Sequence, residues 1–108
     1  MPTSCARRSA VPRKEILNEE YLKKRVKETR GDTRKVKWVG RRGAPDRLCA
    51  WPTLGTHAFV EVKEADQPWG LQDHQLREHN FMKGSGMNTV VLSTKEEIDI
   101  FIRLKTGQ

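Results

Sequence analysis

One segment of the chain, His57-Ala58-Phe59-Val60-Glu61-Val62-Lys63, places a carboxylate and an amine two positions apart in an otherwise apolar run. Its β-branched and aromatic residues predict a strand, and in a strand alternate side chains share a face. Phe59, Glu61 and Lys63 then stand on one face, and Ala58, Val60 and Val62 on the other. A carboxylate on a strand this apolar requires a partner, a hydrogen bond or a metal. An ordinary Glu–Lys pair at a strand end satisfies that requirement too, and such pairs contribute little.

Asp46 separates the two readings. It follows Pro45 and leads into another strand-like run, Arg47-Leu48-Cys49-Ala50-Trp51. Consecutive strands usually neighbour each other, which brings Asp46 near Glu61. Two close carboxylates repel unless a cation sits between them. Hard oxygen ligands suit Mg²⁺ or Mn²⁺, which keep waters and accept phosphate oxygens. Such a centre hydrolyses phosphodiesters: the ion neutralises the phosphate and lowers the pKa of a bound water. Lys63, on the face of Glu61, then orients that water or stabilises transition-state charge.

These residues need elements to hold them. A helix is predicted from about Lys14 to Thr29, with Ile16, Leu22 and Val26 as its apolar stripe and Leu17 and Tyr21 to one side. At about 100° per residue, Glu19 falls inside that stripe, with Glu15 nearby, so Glu19 is the favoured additional carboxylate; an edge residue reaching out to water is the alternative. Gly31 ends the helix and Asp32 opens a turn. Residues 34–39 alternate, with Lys35 and Lys37 on one face and Val36 and Trp38 on the other, and so read as a strand. The loop Gly40-Arg41-Arg42-Gly43-Ala44-Pro45 leads to the strand Arg47–Trp51. His57–Lys63, the most apolar strand, belongs in the middle of the sheet. A helix from about Leu71 to Lys83 carries Gln75, which reaches either the site or solvent. A strand from Asn88 to Ser93 and a helix from Lys95 to Leu104, capped by Thr94, complete the order α-β-β-β-α-β-α. This is an α/β domain, a mixed sheet covered by helices.

The 108 residues suit a single domain, 14–108, behind a flexible basic arm, 1–13. A formal charge of +7 favours a polyanionic partner, and nucleic acid is the usual one. Arg41, Arg42 and Arg47 flank Asp46, and Lys37 precedes them; all four are candidate phosphate contacts. No apolar run spans a membrane and the N-terminus has no secretory signal, so the expected compartment is the cytoplasm. Cys5 and Cys49 read as free thiols. His57, His74 and His79 lack zinc-ligand company and read as ordinary or DNA-facing.

Gly40-Arg41-Arg42-Gly43-Ala44-Pro45-Asp46-Arg47, followed by Phe59-Val60-Glu61-Val62-Lys63 and then Gln75, resembles the VRR-NUC family, the virus-type replication-repair branch of the PD-(D/E)xK nucleases. The resemblance runs from about Glu15 to Leu104. It implies a restriction-endonuclease-like core and Mg²⁺- or Mn²⁺-dependent hydrolysis of DNA, without an organic cofactor. Asp46 and Glu61 match the metal-binding acids, the backbone carbonyl of Val62 a further ligand, Lys63 the catalytic lysine and Gln75 the helix glutamine. The family's first-helix acid matches Glu19 in one register and Glu15 in another.

Single-domain members are typical of phages, so the expected cytoplasm is that of a host cell if the chain is phage-encoded. They resemble Holliday-junction resolvases and act as homodimers. The resemblance therefore implies a structure-specific endonuclease on branched DNA. A nicking, flap or restriction-like nuclease is the alternative, as is a DNA-binding module that keeps the fold without catalysis.

Overall fold

The computed structural model describes residues 13–63 and 71–107, with side chains from Ile16 onward. Helix α1 spans Arg13–Glu28. Strands β1 (Asp32–Lys35), β2 (Arg47–Trp51) and β3 (Thr56–Val62) follow. Helix α2 (Asp73–Gly84), strand β4 (Thr89–Leu92) and helix α3 (Lys95–Thr106) complete the chain. This is the α-β-β-β-α-β-α order expected from the sequence. The proposed basic arm, up to residue 12, and Cys5 within it lie outside the described residues, as does the side chain of Glu15.

The sheet order is β1-β2-β3-β4, with β1–β2 and β2–β3 antiparallel and β3–β4 parallel. Strand β3 is interior, as its composition requires. Its alternation is visible in burial: Ala58, Val60 and Val62 are buried, while Phe59 and Glu61 are half-buried. The buried face joins Cys49 and Trp51 of β2, Leu22 and Val26 of α1, and Ile98, Phe101 and Ile102 of α3 in one apolar cluster. Helices α1 and α3 therefore cover one face of the sheet. They are tied to each other where Asp99 accepts hydrogen bonds from the Tyr21 hydroxyl (2.7 Å) and Arg25 Nε (3.1 Å). Helix α2 lies on the opposite face, where Gln75 meets Lys63.

Three local expectations are corrected. Ile16 does not join the stripe: it is 43% exposed, because the apolar core contact of α1 begins nearly two turns later, at Leu22. The first strand starts at Asp32, where a turn was expected, and ends at Lys35. The alternation seen over residues 34–39 reflects a looser continuation. Val36 N–H still donates to the Asp46 carbonyl (2.9 Å), and Trp38 Nε1 then donates to the Pro45 carbonyl (2.7 Å). Pro45 has no N–H to return, so regular pairing stops there. Finally, α1 turns out through Arg30 at φ 69° rather than through Gly31. Gly31 is required by packing, since a Cβ there would stand 2.6 Å from Trp51 Nε1.

Candidate active site

The β2–β3 register decides where the two acids meet. Arg47 pairs with Val60 and Leu48 with Phe59. Continued one step beyond the Arg47–Val60 pair, the same register sets Asp46 opposite Glu61. Directly opposed residues of an antiparallel pair share a face, with Cβ atoms about 5 Å apart. The alternation that buries Arg47 turns Asp46 to the other face, that of Phe59, Glu61 and Lys63. Asp46 is about half exposed, and its Oδ2 lies 3.7 Å from the ammonium of Lys35, itself 68% exposed. A pair this open to water contributes little and yields readily to a competing cation.

Lys63 follows directly on β3. Its N–H continues the ladder to the Leu92 carbonyl (2.9 Å), so its backbone is set by β4. Its carbonyl accepts from Asn18 Nδ2 (3.2 Å), which also binds the Ser93 carbonyl (2.8 Å). Asn18 is buried and so clamps the ends of β3 and β4 from α1. Its side chain was not singled out from sequence; the signal was an Asn at a helix position that the neighbouring stripe turns toward the sheet. At the other end of the lysine, Nζ donates to Gln75 Oε1 (3.2 Å). The same oxygen accepts the Gln72 N–H (3.0 Å) and caps the first turn of α2. Gln75 therefore joins Lys63 to the start of a helix.

The loop before Asp46 is fastened to that same turn. Gly43 has φ 87°, and a Cβ there would lie 2.6 Å from the His74 carbonyl and 2.9 Å from Gln75 Cα. Only glycine fits both the conformation and the approach. Phe59 packs tilted against Trp38, ring centroids 5.6 Å apart, and Trp38 holds the Pro45 carbonyl through its indole N–H. The aromatic pair thus supports the residue before Asp46.

Two sequence candidates are placed elsewhere. Glu19 does point toward the sheet, but its Oε1 lies 3.6 Å from Arg47 Nη2, on the face opposite Glu61. Among the described residues, no group of three or more His, Cys, Asp or Glu is arranged to hold a metal ion. Arg47 is corrected as a phosphate contact: it is 6% exposed, because strand alternation turns it inward, where Glu19 and the Thr33 hydroxyl (3.4 Å) receive it. Lys37, Arg41 and Arg42 remain exposed. Glu61 and Val62 lie at the end of β3, immediately before Lys63, as the strand reading required.

His79 departs from the expectation of an ordinary or DNA-facing residue. It is buried, one helical turn after Gln75, and neither ring nitrogen has a hydrogen-bond partner. Burial, reinforced by Lys83 and Lys63, pushes its pKa down and keeps the imidazole neutral. Burial likewise pushes the Cys49 thiol up to about 12, against the opposing pull of Arg47, which makes it an inert core residue.

No family model matches the chain. Over 79 residues it is 37% identical to "Putative nuclease p44" of Acyrthosiphon pisum secondary endosymbiont phage 1, a match covering 72% of this chain and 81% of that protein. Among solved structures it is similar to a chain described as a VRR_NUC domain, with a TM-score of 0.74 and 36% identity, over 83% of this chain and 95% of that one.

Proposed function

This chain belongs to the VRR-NUC family of nucleases, and we propose that it is a divalent-metal-dependent endonuclease that hydrolyses phosphodiester bonds in DNA. The observation that supports this reading is the β2–β3 register, whose continuation by one step brings Asp46 across from Glu61, with Lys63 directly after the same strand and held by Gln75. The donor set suits a hard cation. Two carboxylates and the Val62 carbonyl are all oxygen, and a site with few protein ligands leaves room for waters and a phosphate, as Mg²⁺ or Mn²⁺ requires. Bound there, the ion supplies positive charge to the scissile phosphate and a more acidic water.

The protein's own groups do the rest. Asp46 and Glu61 would hold the ion, in place of the loose contact between Lys35 and Asp46. The ammonium of Lys63 has three N–H donors, and Gln75 takes one. The others orient the attacking water and stabilise charge on the phosphate oxygens. Because Gln75 is neutral, it positions the ammonium without cancelling its charge. Glu19 contributes by neutralising Arg47 beneath the mouth of β2, which steadies the residue next to Asp46. Lys37, Arg41 and Arg42 contact flanking phosphates.

The substrate in this reading is branched DNA, a four-way junction among the candidates, and the active form is a homodimer whose two centres make paired nicks. The dimer is supported by Ile100 and Leu104 on α3, 53% and 79% exposed, beside the edge strand β4. The test is a panel of labelled four-way junction, flap, linear duplex and single strand, each with Mg²⁺ or Mn²⁺. Cleavage of the junction by the wild type, lost in Asp46→Ala, is the expected result. No cleavage with either metal, or equal cleavage by the variant, overturns it. Sedimentation of wild type and Leu104→Glu reads the dimer.

A further inference from the structure

Helix α2 presents two different faces. Gln75, His79 and Met82 turn inward. His74, Arg77, Glu78 and Phe81, at helical spacing, form a second face that meets the loop carrying Arg41 and Arg42. Between them is an open cleft of about 510 Å³. Its volume falls within the range of small-ligand pockets, about 300–1,000 Å³, which accommodates a nucleotide. Three arginines and His74 line it, against the single carboxylate of Glu78. Phe81 is 63% exposed, so its ring is a wall of the cleft rather than part of the core. The cleft is also rigidly placed: Gly43 locks the loop against the His74 carbonyl, and the next residue, Gln75, holds Lys63.

We propose that this cleft binds an unpaired DNA nucleotide next to the bond that is cut, with the base stacked on Phe81 and the adjoining phosphates on Arg41, Arg42 and Arg77. Guanidinium groups recognise phosphate oxygens through paired N–H donors. A flat ring among them supplies what a phosphate-only surface lacks, a platform for the face of a base. In a duplex that face is covered by the neighbouring base pairs, so only a splayed or single-stranded base can use it. The proposal rests on the nuclease reading and narrows its substrate class: a strand that leaves the duplex beside Asp46 and Glu61.

The experiment measures fluorescence anisotropy in chelator, so that no strand is cut. It compares a blunt hairpin with the same hairpin carrying a short thymidine overhang. Wild type binds the overhang form more tightly. Phe81→Ala lowers affinity for the overhang about tenfold and leaves blunt binding within about twofold, while Phe81→Tyr behaves as wild type. Arg77→Ala weakens binding and lowers the salt slope by about one. Unchanged overhang binding in Phe81→Ala, or an equal loss on both hairpins, overturns the proposal. So does displacement by polyglutamate as effective as by oligothymidylate of equal charge.

The same DNAs are then incubated with Mg²⁺ or Mn²⁺. Cleavage by wild type together with an indifferent Phe81→Ala defeats this inference alone. A selective Phe81 effect without any cleavage defeats the nuclease reading alone.

Discussion

Lys63 Nζ and Gln75 Oε1 lie 3.2 Å apart, and that same oxygen caps α2 by accepting the Gln72 N–H at 3.0 Å. One side-chain amide thus serves both the candidate catalytic amine and the helix that faces it. Gln75→Ala is expected to slow single-turnover cleavage by roughly ten- to a hundredfold with little change in DNA affinity, because only the orientation of Lys63 is lost. The lost cap costs about 1 kcal/mol in urea unfolding. Gln75→Glu should keep the cap and still slow cleavage, since a carboxylate ties up the ammonium. Wild-type rates in both variants would remove Gln75 from the site.

Arg47 and Glu19 separate stability from DNA contact. Arg47 is buried beside Glu19, whereas Arg41 is exposed on the loop. Arg47→Ala strands Glu19 and opens space under β2, at a cost of about 2–3 kcal/mol. Arg41→Ala leaves the melting temperature nearly unchanged and reduces the salt dependence of DNA binding by about one unit of slope. A salt slope altered by Arg47→Ala, measured well below its melting temperature, contradicts this assignment.

Gly43 carries a prediction about the loop. Alanine there meets both a left-handed backbone and the α2 backbone at 2.6 Å. The conformation alone costs about 1–2 kcal/mol, and the contact forces the loop off the helix. Gly43→Ala should therefore become sensitive to limited proteolysis between Gly40 and Pro45 and lose most of its cleavage, while the far-UV circular dichroism stays near wild type. Unchanged proteolysis and cleavage would show that the loop does not need its seat on α2.

His79 predicts a pH dependence of stability. Its folded pKa lies below the ordinary value of 6.5, so the unfolded chain binds the proton first as pH falls. Its contribution is unimpaired above about 6.5 and is lost progressively below that, until the folded imidazole itself charges. His79→Leu removes the titration and the two unpartnered nitrogens. It should be more stable at pH 7.5, by about 1 kcal/mol, and lose less than wild type on going to pH 5.5. Parallel pH profiles for the two proteins would exclude His79 as the source.

The order of elements and the strand that carries Glu61 up to Lys63 were legible in the sequence because both rest on local rules. Period two in Phe59–Lys63 and helical spacing in α3 follow from backbone geometry, whatever the rest of the chain does. Asp46 was legible as a candidate because a strand follows it directly; its place opposite Glu61 came from the β2–β3 register. Side-chain partners were not local. Glu19 was correctly turned toward the sheet, yet sequence could not say that Arg47, a basic residue in a run of surface arginines, would be the one beneath it.

The same holds for Asn18 on the carbonyls of Lys63 and Ser93, and for the burial of His79. Each depends on residues far away in the chain meeting within hydrogen-bonding or van der Waals reach. The chain's local chemistry therefore determined the strand that bears Glu61 and Lys63 and the loop that bears Asp46. Tertiary packing alone decided what stands against each charge, because that outcome depends on how sheet and helices close on one another.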